Sequence, residues 1–380
     1  MKKGVRNIVF SVLMWSCLAL LGCERRSDAE FWKAGMPMNK RAVKIGVIYR
    51  TDPLVSINAY DYAHYAGILK MQQALGLYDD QVIHKTDVSD VDPVAVEYGM
   101  RECIARGANI IIATSDGYME TCGKLAAEFP RVIFATAAGT ERNETNLTNY
   151  FGRVYQARYL SGIVAGLKTA TNKIGYVAAM GKENNEVTCG LNAFALGVES
   201  VNPLAGVYVV VTSDWYDPDG ETKAARALIE DGCDVIAQHC DTGNPQIEAG
   251  KAGVWGIGYN EDMENLAPAA VLTSVLWRWE VYYTDLVQSM MDGAFTTEPY
   301  LGNMMGGIVS LARINESIAA PGTTDIMTRA RDQIFNDGFG IFYGEMLTND
   351  GQLIGGPGRY LSTDEIRGSH WYYHTIKSVN

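Results

Sequence analysis

Four aromatic rings crowd one short stretch of this chain. In "TSVLWRWEVYY", residues 273–283, Trp277, Trp279, Tyr282 and Tyr283 fall within seven positions. Rings spaced this way either fill a core or hold a flat ligand, for which each good stacking face is worth roughly 1–3 kcal/mol. A second kind of chemistry sits at the ends of apolar, β-rich runs, in "SINAYDY", "SDGYM", "GKENNE", "SDWYDP", "HCDTGN" and "GYNEDM". These segments are rich in Asn, Asp, Tyr and Trp, so they offer hydrogen bonding and stacking. No Ser–His–Asp order with a nucleophile elbow, Walker loop, HExxH or glycine fingerprint after the first strand accompanies them. The five histidines show no metal-ligand spacing with the cysteines. The expectation is a binding protein without catalytic residues, metal or cofactor.

The elements that must position these groups alternate. "AVKIGVIYRT" reads as a strand, residues 60–75 as a helix, and "QVIHKTDV" as a second strand. "DPVAVEYGMRECIARGA" has the signals of a helix, with Asp92 as N-cap, Pro93 at N1 and Gly107 near its end. "NIIIATS", "YMETCGKLAAEFP" and "RVIFATAA" continue as strand, helix and strand. Such alternation predicts a parallel sheet with helices on both faces. The pattern restarts with the helix "YQARYLSGIVAGLKTA", and "KIGYVAAMG" echoes "VKIGVIYRT". Two similar α/β lobes in tandem follow. Because ligands of open parallel sheets sit beyond the carboxyl ends of the strands, the site is expected in the cleft between the lobes.

The N-terminus combines Lys2, Lys3 and Arg6 with an apolar run from Ile8 to Leu21 and ends in "LLGC". The run is short for a membrane span and has the layout of a secretory signal. Its end resembles the bacterial lipobox, which implies cleavage after residue 22 and a lipid on Cys23. Residues 23–42 then read as a tether, and the body as a soluble domain held on the membrane, facing the periplasm or the cell exterior. The formal charge of −12 becomes −15 when the signal's three cations leave, which argues against nucleic acid as a partner. Cys103, Cys122, Cys189, Cys233 and Cys240 form no CxxC pair and lie among apolar neighbours, as buried thiols do.

Seven blocks in order carry a resemblance: "ATSDGYM", "YFGRVYQARYLSGIVAGLKT", "KIGYVAAMGKENNEV", "LNAFALGVESVNP", "DWYDPDGETKAARALIEDGCDVIAQHCDT", "GIGYNEDM" and "VLTSVLWRWEVYY". From about Val43 onward the chain resembles the basic-membrane-protein lipoproteins, the purine-binding receptors of ABC importers. The resemblance implies a type I periplasmic binding protein: two Rossmann-like α/β lobes with parallel sheets, joined by three hinge crossovers. It places residues 43–150 and about 272–300 in the first lobe, and 151–271 and about 301–380 in the second. It implies capture of a purine in the cleft and handover to an ABC permease. Where nucleoside-binding members carry a Lys and an Asp that hold ribose, this chain has Trp277 and Asn260. That resembles the branch that binds free nucleobases, with Trp277 filling the ribose volume. Purine nucleosides, sugars and a sensory role are the alternatives; a nucleoside hydrolase would need a run of metal-holding carboxylates, which the sequence lacks.

On this resemblance Tyr60 stacks on the base, with Tyr118 as a further ring. Asp116 either accepts from a base N–H or caps the next helix. Asn185 and Glu186 either cap a helix or read the base edge, Glu186 being the preferred reader. Asn192 is an amide on a helix lined with Ala, Phe and Leu; it needs partners, and a ligand- or hinge-facing role is expected. Asp241 and Asn260 are expected to hydrogen-bond the base, and Asp262 to bind it or cap a turn. Trp277 and Trp279 share one face if the segment is a strand and diverge if it is a helix. Trp277 is the preferred ligand contact, and Tyr283 is assigned to packing.

Overall fold

Strand β1 (Ile45–Ile48) is buried at all four positions, as its unbroken apolar run requires of a strand covered on both faces. The computed structural model describes residues 36–336 and 340–379; the expected signal, Cys23 and the tether up to residue 35 lie outside the described residues. Helix α1 (Ala59–Leu75) follows, capped by the Asn58 side chain, which accepts from Asp61 N at 3.0 Å. Next come β2 (Val82–Lys85), α2 (Pro93–Ala105), β3 (Ile110–Ala113), α3 (Met119–Glu128), β4 (Ile133–Ala137) and β5 (Leu147–Gly152). Asp92 caps α2 and Pro93 opens it, as its sequence requires.

The second half runs α4 (Val154–Lys168), β6 (Lys173–Ala178), α5 (Asn185–Glu199), β7 (Gly206–Val211), α6 (Pro218–Glu230), β8 (Val235–His239), α7 (Asn244–Ala252), β9 (Trp255–Asn260) and β10 (Val271–Trp277). Then follow α8 (Trp279–Asp292), β11 (Tyr300–Gly302), β12 (Val309–Leu311), α9 (Thr323–Asn336), β13 (Tyr343–Leu347), β14 (Leu353–Tyr360), α10 (Thr363–Arg367) and β15 (Ile376–Ser378). The first sheet has the order β11-β5-β4-β3-β1-β2 and the second β12-β10-β9-β8-β6-β7-β15, while β13 and β14 form a hairpin. All pairs within the two large sheets are parallel except β10 with β12.

The chain changes sheet three times: between β5 and α4, between β10 and α8, and between β11 and β12. The second change comes later than the sequence suggested. Strand β10 stays in the second sheet through Trp277, so the return begins there and not near Leu272. Helices α4 and α5 meet at two glycines: a Cβ on Gly162 would stand 2.1 Å from Phe194 O, and one on Gly197 only 2.0 Å from Tyr159 O. No side chain fits either place, so the close helix contact in the second lobe depends on both residues.

Candidate functional site

A cavity lies between the two sheets, and the lobes supply its walls equally. Arg50, Tyr60, Ser115, Asp116 and Ala138 come from the first lobe; Asn184, Glu186, Trp215, Asp241 and Tyr259 come from the second. Arg50, Ala138, Trp215 and Asp241 lie just beyond strands, Tyr60 and Glu186 in the first turns of helices, and Tyr259 near the end of β9. This is the crevice that open α/β sheets offer to ligands. The cavity holds about 60 Å³. A second cavity of about 260 Å³ adjoins it and shares Asp116, Ala138, Asn184 and Glu186.

Asp241 joins the lobes. Its backbone carbonyl accepts from Ala59 N at 2.7 Å, at the first turn of α1. Its carboxylate accepts from Arg50 Nη2 at 3.1 Å and from Asn260 Nδ2 at 3.2 Å. Asn260 itself has a left-handed backbone, φ 71°, a conformation Asn tolerates better than most residues. Burial raises the Asp241 carboxyl to about 7; Arg50 opposes the shift, and Asp61 and Glu221 add to it.

Glu186 faces the same cavity. Its Oε1 lies 3.3 Å from Tyr259 OH and 3.3 Å from His239 Nε2. Burial first, then the charge of Asp116, pushes Glu186 up to about 8. Burial lowers His239 well below its usual range, so its ring is neutral and can donate through Nε2 to Glu186 while Nδ1 faces Tyr176 OH at 3.3 Å. At neutral pH Glu186 is mostly a carboxylic acid: its Oε1 accepts from Tyr259 and His239, and the hydroxyl on its other oxygen is left to donate to a ligand edge.

The ring Tyr60 is half-buried, and its hydroxyl donates to Thr114 O at 2.9 Å. Trp215 is half-buried in the opposite wall. Behind Tyr60 stands a stack of three rings: Trp277 on Trp279 (centroids 4.4 Å, 11°) and Trp279 on His64 (4.3 Å, 14°). Tyr60 meets His64 edge-on at 4.5 Å.

The sequence profile of the Bmp family, described as ABC transporter substrate-binding protein PnrA-like, matches residues 57–302. The chain belongs to the Bmp family. A purine-binding protein of Brucella abortus is 31% identical over 288 residues, 75% of this chain and 79% of that one. A protein of Haloferax volcanii, named as a candidate glucose-binding protein of an ABC transporter, is 30% identical over 323 residues, 85% of this chain and 80% of that one. Among solved structures, an ABC transporter solute-binding protein from Conexibacter woesei superposes with a TM-score of 0.64 at 20% identity, covering 78% of this chain and 97% of its own. That likeness, with one from Aeropyrum pernix at a TM-score of 0.62, shows the type I periplasmic binding protein fold. This Bmp protein is thus an extracytoplasmic substrate-binding protein of an ABC transporter and not an enzyme; it implies a small-molecule ligand and a permease partner. Among the described residues no helix is long and apolar enough to cross a membrane.

In the Bmp chain the cavities bring together some of the residues singled out in the sequence. Tyr60, Asp116, Glu186 and Asp241 line the first cavity. Asn185, the first residue of α5, lines the second, its Oδ1 buried without a partner. Asn260 stands behind Asp241 and holds it. The others are placed elsewhere. Tyr118 is fully buried and donates to Val88 O at 2.6 Å. Asn192 binds the C-terminal segment: its amide donates to Trp371 O and accepts from Tyr373 N, both at 2.8 Å. Asp262 is exposed and caps Glu264 N at 3.1 Å. Trp277 and Trp279, 4% and 0% exposed, line neither cavity. Trp277 Nε1 instead donates to Tyr259 OH at 3.0 Å. The indole supports the wall from outside both cavities. Arg50, Trp215 and Tyr259 were not singled out from sequence, although each lies in or beside a strand-end segment.

Proposed function

We propose that this Bmp protein captures a purine nucleobase and delivers it to an ABC importer, from a membrane anchor formed by a lipid on Cys23. The observation that carries this reading is that two half-buried rings from different lobes, Tyr60 and Trp215, line one cavity together with the Glu186 carboxyl. Purines are flat and polarizable, so rings on both lobes hold them by stacking. Their edges alternate N–H donors with ring nitrogen or carbonyl acceptors, and a protonated Glu186 donates from its free oxygen to one of those acceptors. Asp116 supplies further acceptor oxygens. The first cavity and the larger one adjoining it, about 60 and 260 Å³, together leave room for a base. Both lobes touch the ligand only when closed, so binding selects the closed state.

A sugar is the second reading. Arg50, Asp116, Asn184 and Asp241 also suit hydroxyl groups, and the Haloferax volcanii relative is named for glucose. Calorimetric titration of the full chain with adenine, guanine, hypoxanthine, xanthine, adenosine, ribose and glucose separates the two. The expected result is a nucleobase dissociation constant of about 1 μM or lower, which corresponds to about −8 kcal/mol. Binding of glucose with no response to any purine would overturn the proposal.

A further inference from the structure

The second cavity adjoins the first and is lined by two cations, one part-buried and one exposed. Arg153, at the head of α4, and Arg367, at the end of α10, both line it. Arg153 Nε is buried without a hydrogen-bond partner. Among the described residues neither guanidinium forms an ion pair, whereas Arg50, Arg101, Arg226 and Arg359 all do. The buried, unpartnered Oδ1 of Asn185 lies on the same wall, and a flip of that amide would present a donor there. We propose that this cavity is an oxyanion subsite, in which Arg153 and Arg367 hold a phosphate- or carboxylate-type group beside the purine. The proposal rests on the purine reading of the first cavity.

Two guanidinium groups suit such an anion because each presents a planar fork of N–H donors that matches paired oxygens. The acidic groups of the wall do not close this option. Glu183 Oε1 already accepts from Gly181 N at 2.6 Å, and Glu186 bonds Tyr259 and His239. Asp116 remains as an acceptor at the junction, so a group that carries both O–H and negatively charged oxygens satisfies both sets. The oxyanion has two possible sources: a substituent carried by the base, or a separate small anion bound with it.

The test titrates the full chain with adenine, with adenine in inorganic phosphate, with adenosine and with adenosine monophosphate. The same series is run on Arg153→Gln, Arg367→Gln and the double variant, with near-ultraviolet circular dichroism to check folding. A gain of about tenfold or more for the monophosphate over adenosine, abolished in the double variant, supports a substituent. The same gain for adenine on adding phosphate supports a separate anion. Equal affinities in all arms, or a gain that survives the double variant, would overturn the subsite. Should no purine bind, the purine reading fails, and phosphorus-31 NMR with inorganic phosphate still decides the subsite. Phosphate binding to the wild type and not to the double variant supports it; no difference overturns it.

Discussion

Consider Trp277→Ala, which separates a wall support from a ligand contact. The side chain is 4% exposed, stacked on Trp279, 4.8 Å by centroid from Phe151, and bonded to Tyr259 OH. Its ring is so tightly placed that a Cβ on Gly152 would come within 2.6 Å of it. Truncating a Trp in such a position costs about 3–5 kcal/mol, because the lost contacts leave a cavity that neighbours only partly fill. Losing the indole N–H alone, as in Trp277→Phe, costs about 0.5–1.5 kcal/mol for the hydrogen bond, plus a smaller packing loss. Denaturant unfolding of wild type and both variants reads these values as a lower midpoint at unchanged slope. Adenine titration on the same samples reads the ligand. The expected outcome is a large loss of stability for Ala, a small one for Phe, and a fall in adenine affinity that is modest beside that of a cavity-wall variant. A stable Trp277→Ala protein that loses adenine binding tenfold or more would refute this reasoning and return the indole to the ligand.

Three further expectations follow from the geometry. Tyr60→Ala and Trp215→Ala each weaken all purines alike by roughly 1–3 kcal/mol, since stacking does not read substituents; a loss confined to one purine in calorimetry would contradict this. Glu186 and Asp241 are held at about 8 and about 7, above their ordinary values. Below about pH 6.5 His64, His84 and His239, whose values desolvation lowers, oppose them; from about pH 6.5 to 8 the folded form holds more protons than the unfolded chain through the two carboxyls, and stability falls as pH rises. A melting temperature that climbs from about pH 7 to 8.5 would show that these carboxyls are not held protonated; Glu186→Gln should flatten part of the fall. Cys23→Ala should move the protein out of the membrane fraction or leave it uncleaved, which fractionation and gel mobility decide.

The alternation of strands and helices was legible because central β runs such as β1 and β3 are uniformly apolar and several helices announce their own start. Asp92 with Pro93 and the Asn58 cap are local signals that need no tertiary context. Strand β5 was not read, because "LTNYFG" mixes polar and aromatic residues and is completed only by pairing with β4 and β11. The site was legible to the level of strand-end segments. Which residue in a segment faces the cavity was not, because the answer lies in distant partners. Asn192 looked available until the backbone of Trp371 and Tyr373 met it, and Tyr118 until Val88 O did. Trp277 and Trp279 sit across a strand-to-helix junction, where neither a period of two nor one of 3.6 fixes the direction of a ring.

That junction has an optical consequence. Trp277 ends a strand of the second lobe, while Trp279 opens a helix packed against α1 of the first, where a Cβ on Gly67 would come within 2.8 Å of the Trp279 Cβ. Two indoles 4.4 Å apart and 11° from parallel have transition dipoles close enough to couple, so they behave as one split chromophore. A change in the angle between the lobes that turns one ring against the other changes that splitting. The hinge thus carries its own exciton probe, and circular dichroism of the unlabelled protein can follow opening and closing with no dye attached to either lobe.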